Sequence, residues 1–445
     1  MPVADQVAYE YPYASHLGAG RLALATSGGD AAAEPVFYAG GLRRPALAAR
    51  LLLAVSDNAA RRYYTPPGVL EATLAAADPI VSSDGERLRF ESLSACCGVY
   101  VRADLMPQAL ERAPVSRGTT NVDFNAPMRA SLARVRDAEA GGLLVGRDGV
   151  ELARGSEVVR ERRVRLPERW VRGLGEVQAL QAEMAPVAEA SGAPALRFVR
   201  SLPRGGSGRA PVFVTGTGGG LRVAHVAVPG AAPVVATERL RALEPAARDA
   251  RSLTVHAHPS GATAWSLDLA AARLTVVISP QPSRGLSGEG ALLENLMSPE
   301  PDTSAVLLAA LRGNAVAPAT ELAAAADVAP REAQAQLARL ASAGRVGYDL
   351  LDGGFFHREL PFGRRREAPR TPRLDGARSL VDGGRVRIES REGDRVTAVV
   401  GGRDGDYLVT LTPERATCSC PWHARHGASR GPCRHVLAAT TVAAG

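Results

Sequence analysis

Four residues near one end of the sequence have the type and spacing to hold a metal: Cys418-x-Cys420, a gap of twelve residues, then Cys433-x-His435. Thiolates and an imidazole are soft to borderline donors, and four of them from two short elements meet the needs of a closed tetrahedral zinc site. With every position filled by protein, no coordination site is left for water or substrate. The expected ion, one Zn(2+), is therefore structural and not hydrolytic. In a flat strand residues i and i+2 stand roughly 7 Å apart, whereas sulfurs on one zinc lie within about 4 Å. Cys418 and Cys420 must then sit at a bent strand end, where Pro421 is placed to stop the strand. Val436 to Thr441 reads as a helix, with Cys433 and His435 at its first turn. His423 and His426 in the intervening loop are rival donors that could compete for the metal.

Other candidates are weaker. His256 and His258 share one face of an expected strand, but no further ligand stands at a clear spacing. Cys96 and Cys97 are adjacent and point apart on any regular element, so they read as small buried hydrophobes. Thr215 to Gly220, TGTGGG, lacks the third glycine of a dinucleotide loop and reads as a hairpin turn. The stretch RGLSGEG, with Arg284, Ser287 and Gly288, precedes a helix expected near Ala291 and is a candidate anion loop. No catalytic triad or carboxylate pair can be picked out by spacing, because such residues meet only in the fold.

All 53 basic residues among the 445 are arginine. The absence of lysine excludes a P-loop and Schiff-base chemistry, both of which need an amine. Arginine throughout, with heavy use of alanine and glycine, points to a GC-rich bacterial genome. Five cysteines and no basic-then-apolar leader argue for thiols and metal over disulfides, and for the cytoplasm. No apolar run approaches the roughly 18 residues of a membrane span. The net charge of +7 is uneven: residues 363–445 hold 15 arginines against 9 carboxylates. A polyanion or an acidic protein surface is expected to meet that end. Arg364, Arg365 and Arg366, with Arg425, Arg430 and Arg434 around the cysteines, are the candidate contacts.

The elements that must position these residues suggest an α+β multidomain protein. Residues 1–295 form a mixed α/β region, one domain or two with a candidate break near 160–167. Helical periodicity marks Pro45 to Arg62 and Trp170 to Ala188. Short β-rich runs recur at Arg197 to Leu202, Val212 to Thr217, Leu221 to Val228, Ser252 to His258, Ala264 to Leu269 and Leu274 to Ser279. Gly/Pro turns between them favour an antiparallel sheet. Residues 303–362 read as three helices and a hairpin, the order of a winged helix. Thr320 is the expected cap of the second helix and Pro330 opens the third, which offers only Arg331, Gln334, Gln336 and Arg339 to a groove. Residues 363–379 read as an extended basic linker and 380–445 as a ββα knuckle.

The CxC–CxH pattern, with Pro421 after the second cysteine, Arg434 before the histidine and small apolar residues after it, resembles the SWIM zinc-finger family. The preceding strands, VTAVVGGRDGDYLVTLTPERATCSCP, look like that family's approach to its first cysteine pair. The resemblance covers about residues 380–445. It implies zinc, and binding to DNA or to a protein partner; bacterial relatives occur with helicase-type or AAA-type ATPases. The reading is a zinc-binding adaptor that meets DNA or protein through its basic C-terminal half. The alternative is an enzyme or small-molecule sensor in residues 1–295, with the finger as targeting module.

Overall fold

In VYVRADL and ARLTVVI apolar and polar residues largely alternate, as they must in strands whose two faces meet different surroundings. The computed structural model describes residues 16–18, 21–23, 36–65, 79–114, 116–121, 124, 126–137, 141–146, 149–154, 157–160, 168–203, 210–283, 285–286, 293, 303–358, 360, 372–413, 415–427 and 431–444. Both segments lie in an eight-stranded antiparallel sheet. In chain order the first part of the molecule runs β1 His16–Gly18, β2 Arg21–Ala23, β3 Val36–Gly41, α1 Pro45–Ala60, β4 Ile80–Asp84, β5 Leu88–Leu93, β6 Val99–Leu105, β7 Arg117–Asn121 and α2 Ala126–Arg134. Then come β8 Gly141–Gly146, β9 Gly149–Arg154, β10 Glu157–Arg160, α3 Glu168–Ala182, β11 Ala185–Ser191, α4 Gly192–Ser201, β12 Val212–Thr217, β13 Gly220–Ala224 and β14 Ala232–Val234, before β15 Ser252–Ala257, β16 Thr263–Asp268 and β17 Ala272–Ile278. The large sheet has the order β11-β15-β16-β17-β6-β5-β4-β7, and β17 and β6 pair antiparallel at its centre. Smaller sheets, β10-β9-β8-β3 and β13-β12-β14, stand beside it.

One face of the large sheet is apolar. Val99, Val101, Leu253, Val255, Trp265, Leu274 and Val276 share a core with Leu51 and Val55 of α1, Phe198 and Val199 of α4, and Leu240 and Leu243 from a 3-10 turn. Phe198 stacks on Trp265 with ring centroids 5.6 Å apart. The run Arg197 to Leu202, expected as a strand, is instead part of α4. Ala195, Phe198, Val199 and Leu202 recur at helical spacing and all are buried there. The helix expected over Trp170 to Ala188 stops at Ala182, and its last residues enter β11. The glycine-rich run forms the β12–β13 turn as expected, with Gly219 in the left-handed region. Of the candidate break, Arg160 ends β10 and residues 161–167 lie outside the described residues.

The other face of the sheet carries Arg89, Glu91, Arg102 and Asp104, all of them buried, with Arg273 half-buried beside them. It is covered by α3 and by a second unit: α5 Ser304–Gly313, α6 Ala319–Ala326, α7 Pro330–Ser342, β18 Val346–Asp349 and β19 Gly354–His357. Three helices followed by a hairpin are thus present in the expected order. The cap of α6 is Pro318, with no side-chain hydrogen bond, and not Thr320. Gly344, at φ 72°, follows the end of α7. The α7 helix is buried on most sides, with Ala335, Gln336 and Ala338 enclosed as well as Leu337 and Leu340, and it packs against α3.

The hairpin is tied to the sheet by charge. Arg358 Nη1 donates to both Glu91 carboxylate oxygens at 2.5 and 2.6 Å, and Tyr100 Oη donates to Glu91 at 2.6 Å. Arg102 bonds the Tyr348 carbonyl at 2.6 Å and pairs with Asp349 at 3.1 Å. Asp352 accepts from Arg87 at 2.7 Å and pairs with Arg273 at 2.7 Å. The Arg89 guanidinium lies 3.8 Å over the Phe356 ring. Gly347 leaves the space that this ring occupies; a Cβ there would overlap it.

The C-terminal unit opens with a helix that sequence reading did not anticipate, α8 Pro372–Asp382. Residues 372–379 are therefore helical and not part of an extended linker, because Leu374, Ala377 and Leu380 form an apolar stripe that is buried. Strands β20 Val386–Glu392, β21 Arg395–Gly401, β22 Asp406–Leu411 and β23 Ala416–Cys418 follow, then α9 Pro421–His426 and α10 Arg434–Ala444. The expected ββα knuckle is thus a four-stranded sheet with three helices. Its core also takes in Leu293, which the sequence reading had assigned to the N-terminal region.

Candidate metal centre

Each ligand position follows from local chain chemistry. Cys418 ends β23, held by its pairing with Val409 on β22. The chain then turns, and Pro421 occupies the first position of α9, where its missing N–H and fixed φ cost nothing. That makes Cys420 the N-cap, and its Sγ accepts the His423 amide at 3.3 Å. Cys433 stands in the same relation to α10: its Sγ accepts the Val436 amide at 3.4 Å and its carbonyl accepts the Leu437 amide at 3.0 Å. Both sulfurs are thus aimed by helix starts, where amide donors and the helix dipole favour thiolate.

The ligand atoms of Cys418, Cys420, Cys433 and His435 all lie within 4.8 Å of one another, and all four residues are buried. His435 turns Nδ1 toward the sulfurs, 3.9 Å from Cys418 and 4.0 Å from Cys433. A tetrahedron with zinc–sulfur bonds of about 2.3 Å and zinc–nitrogen bonds of about 2.0 Å needs donor separations near 3.6 Å, so a small contraction completes the site. These four residues are positioned to bind one zinc ion. Among the described residues they are the group of three or more His, Cys, Asp or Glu that could hold a metal.

The thiols already share their protons unequally. The hydrogen bond from Cys418, helped by His435 and the Val436 amide against the cost of burial, pulls Cys433 down to about 4. The same bond to Cys433, together with burial, pushes Cys418 well above its ordinary value. Burial also raises Cys420. Zinc would replace this proton sharing with three thiolate bonds.

Around the ligands, Tyr407 packs its ring on His435 with centroids 4.6 Å apart, and Arg434 Nε lies 3.3 Å from His435 Nε2. Arg373 of α8 bonds the Pro432 carbonyl at 3.1 Å and stands 5.1 Å over the Trp422 ring. Sequence reasoning missed Tyr407 and Arg373 as partners of the site. Tyr407 is brought there by the β21–β22–β23 register, and α8 had no expected place. His423 and His426 do not join the ligands: His423 lends its backbone amide, and His426 packs on Trp422.

Of the candidate arginines, Arg425 lies on α9 and Arg434 opens α10 beside the site. Arg364, Arg365, Arg366 and Arg430 lie outside the described residues, as do Arg284, Ser287 and Gly288 of the candidate anion loop. His256 is buried on β15. His258 bonds Ser260 at 2.9 Å and Glu183 at 3.2 Å. Cys97 is buried with φ 55°, and half-buried Cys96 accepts the Tyr63 amide at 3.4 Å. No helix among the described residues is long and apolar enough to cross a membrane.

Residues 407–443 match the family model of the SWIM zinc finger. No curated protein matches the chain. Among solved structures it is similar to proliferating cellular nuclear antigen from Entamoeba histolytica, at 11% identity and TM-score 0.37, covering 55% of this chain and 99% of that one. It is also similar to the PCNA2–PCNA3 complex from Sulfolobus tokodaii, at 8% identity and TM-score 0.40, covering 55% and 100%.

Proposed function

We propose that the chain is a non-catalytic, zinc-stabilised adaptor. In this reading a winged-helix-like unit at residues 303–362 braces the region 1–295, and the SWIM finger at 380–445 docks a protein partner. The observation that carries it is the face of the finger's sheet turned away from its helices, which no helix covers among the described residues. Ala398, Val400 and Val409 face the helices and are buried, while Val399, Leu408, Thr397 and Thr410 point the other way. Leu408 is 52% exposed there. An open antiparallel face with apolar and hydroxyl side chains suits a protein surface, where a few desolvated anchors supply most of the affinity.

Nucleic acid is the weaker partner for the finger, since Arg373 is engaged within the module through the Pro432 carbonyl. The winged-helix-like unit supports bracing for a similar reason. Its third helix is enclosed against α3 and its hairpin is bound to the sheet by Arg358, Arg102 and Arg87.

A photocrosslinking residue in place of Leu408 in the full chain, expressed in cells, tests the reading. Discrete protein adducts that vanish in Cys433→Ser are expected. Adducts with nucleic acid alone, or none from this position, would overturn it.

A further inference from the structure

The basic end of the sequence is not the molecule's sole concentration of positive charge. Four segments far apart in sequence, residues 43–62, 126–137, 192–203 and 237–251, contain fourteen arginines and five carboxylates, while the rest of residues 1–362 contains 24 arginines and 32 carboxylates. These segments hold α1, α2, α4 and the 3-10 turns Thr237–Leu243 and Ala247–Asp249, and they meet in space. Helix α1 packs on α2, on β5 and β6, and on the first turn; α4 packs on β11, β15 and both turns. Helices α1 and α4 and the two turns cover the apolar face of the large sheet, and α2 extends this layer beside α1, over β9 and β10 of the smaller sheet.

At the centre of the layer the arginines converge. Arg44, just before α1, and Arg50 within it reach Asp249 at 3.2 and 2.6 Å. Asp249 lies between Arg248 and Arg251, and the start of α4 abuts them so closely that a Cβ on Gly192 would stand 2.8 Å from the Ala250 carbonyl. Arg197 and Arg200 follow one turn apart along α4. Arg197, Arg200, Arg248 and Arg251 are exposed and have no carboxylate partner among the described residues.

The geometry points to double-stranded nucleic acid as the ligand of this layer, held through its phosphates and independently of the zinc finger. Guanidinium groups pair with phosphate oxygens in bidentate fashion, and every cation of the layer is a guanidinium. Helix α4, over β11 and β15, and helix α1, over β6 and β5, lie four strand spacings apart, about 19 Å at about 4.8 Å per strand. Over that length a duplex presents on the order of ten phosphates. The large exposed apolar side chains of the described residues, Val223, Val226, Val306 and Leu408, all lie outside the layer. It therefore lacks the aromatic platform that single strands stack on and the apolar ridge that inserts into a membrane.

The test is fluorescence anisotropy of the full-length, zinc-loaded protein with labelled DNA and RNA duplexes of about 30 base pairs, a DNA single strand of equal length, and phosphatidylserine vesicles as competitor, at about 50 and 200 mM salt. The wild type is expected to bind duplex at low salt and to weaken steeply as salt rises. Arg197→Gln/Arg200→Gln/Arg248→Gln/Arg251→Gln should lose at least about tenfold in affinity and flatten the log–log salt slope by about 3 to 4. Cys433→Ser should retain duplex binding, which separates this site from the finger, and the two duplexes tell DNA from RNA. No duplex binding at low salt, an unchanged slope in the quadruple variant with an unchanged melting curve, or preference for the single strand or the vesicles would overturn the assignment.

Discussion

Cys433 does two jobs with one sulfur: it faces the metal position and it accepts the Val436 amide that starts α10. Serine can keep the second role, since its hydroxyl is a good helix cap, but it cannot supply a thiolate. Cys433→Ser should therefore lower zinc content from one ion per chain to near zero by elemental analysis, without the extra defect of a lost cap. His423→Ala and His426→Ala should leave one zinc per chain, because the first contributes its backbone and the second a ring contact to Trp422. Loss of zinc in either histidine variant would mean that the loop supplies a ligand. The ligand set was legible in the sequence because C-x-C and C-x-H are local spacings. The Tyr407 ring on His435 was not, because it depends on a register across three strands.

At the scale of elements, β17 was legible as a β-rich run while β5 and β6 were not singled out, and alternation along such strands predicts a polar face without saying what covers it. Arg89, Glu91, Arg102 and Asp104 have the pattern of a solvated face and are in fact the seat of the β18–β19 hairpin. Their partners Asp349 and Arg358 stand some 250 residues away in the chain, so no local signal pairs them. Arg358→Met strands the buried Glu91 charge and should cost about 3–5 kcal/mol at neutral pH, measured by urea unfolding; adding Glu91→Leu should restore much of it. The pH dependence has a definite sign. Burial would raise Glu91 and Asp349, but Arg358 outweighs it at the first, and Arg102, Arg89 and Arg273 hold the second at about 2. Folded values below the unfolded value of about 4 mean full stabilisation above that pH and its loss as pH falls toward 2. Asp104, raised by burial, offsets part of this. Amide exchange in residues 346–357 should accelerate in that window before it does in β6. In Arg358→Met, Glu91 keeps the burial and loses the cation, so the deficit should shrink on acidification; a deficit constant with pH would refute the pairing.

At the scale of the whole molecule, reading the sequence placed the positive charge at the C-terminal end, because counting along the chain cannot see that residues 43–62, 126–137, 192–203 and 237–251 share one layer. The separation of cores was partly legible, since fewer than about 70 residues make a thin core that a metal commonly completes. In the structure the finger has its own cluster, built on Leu374, Ala377, Val400, Val409 and Leu437 with three of the ligands, and it is distinct from the clusters on the two faces of the large sheet. The body is closed without zinc: its sheet is covered on one face by α1 and α4 and on the other by α3 and the ion-paired hairpin. Removing the metal should then undo one unit and spare the other. Under a strong chelator, limited proteolysis is expected to cut within residues 372–444 while 79–114 and 252–278 stay protected, and zinc should restore the wild type but not Cys433→Ser. Loss of protection throughout the chain would show that the body leans on the finger, and that zinc holds the two together as a single cooperative unit.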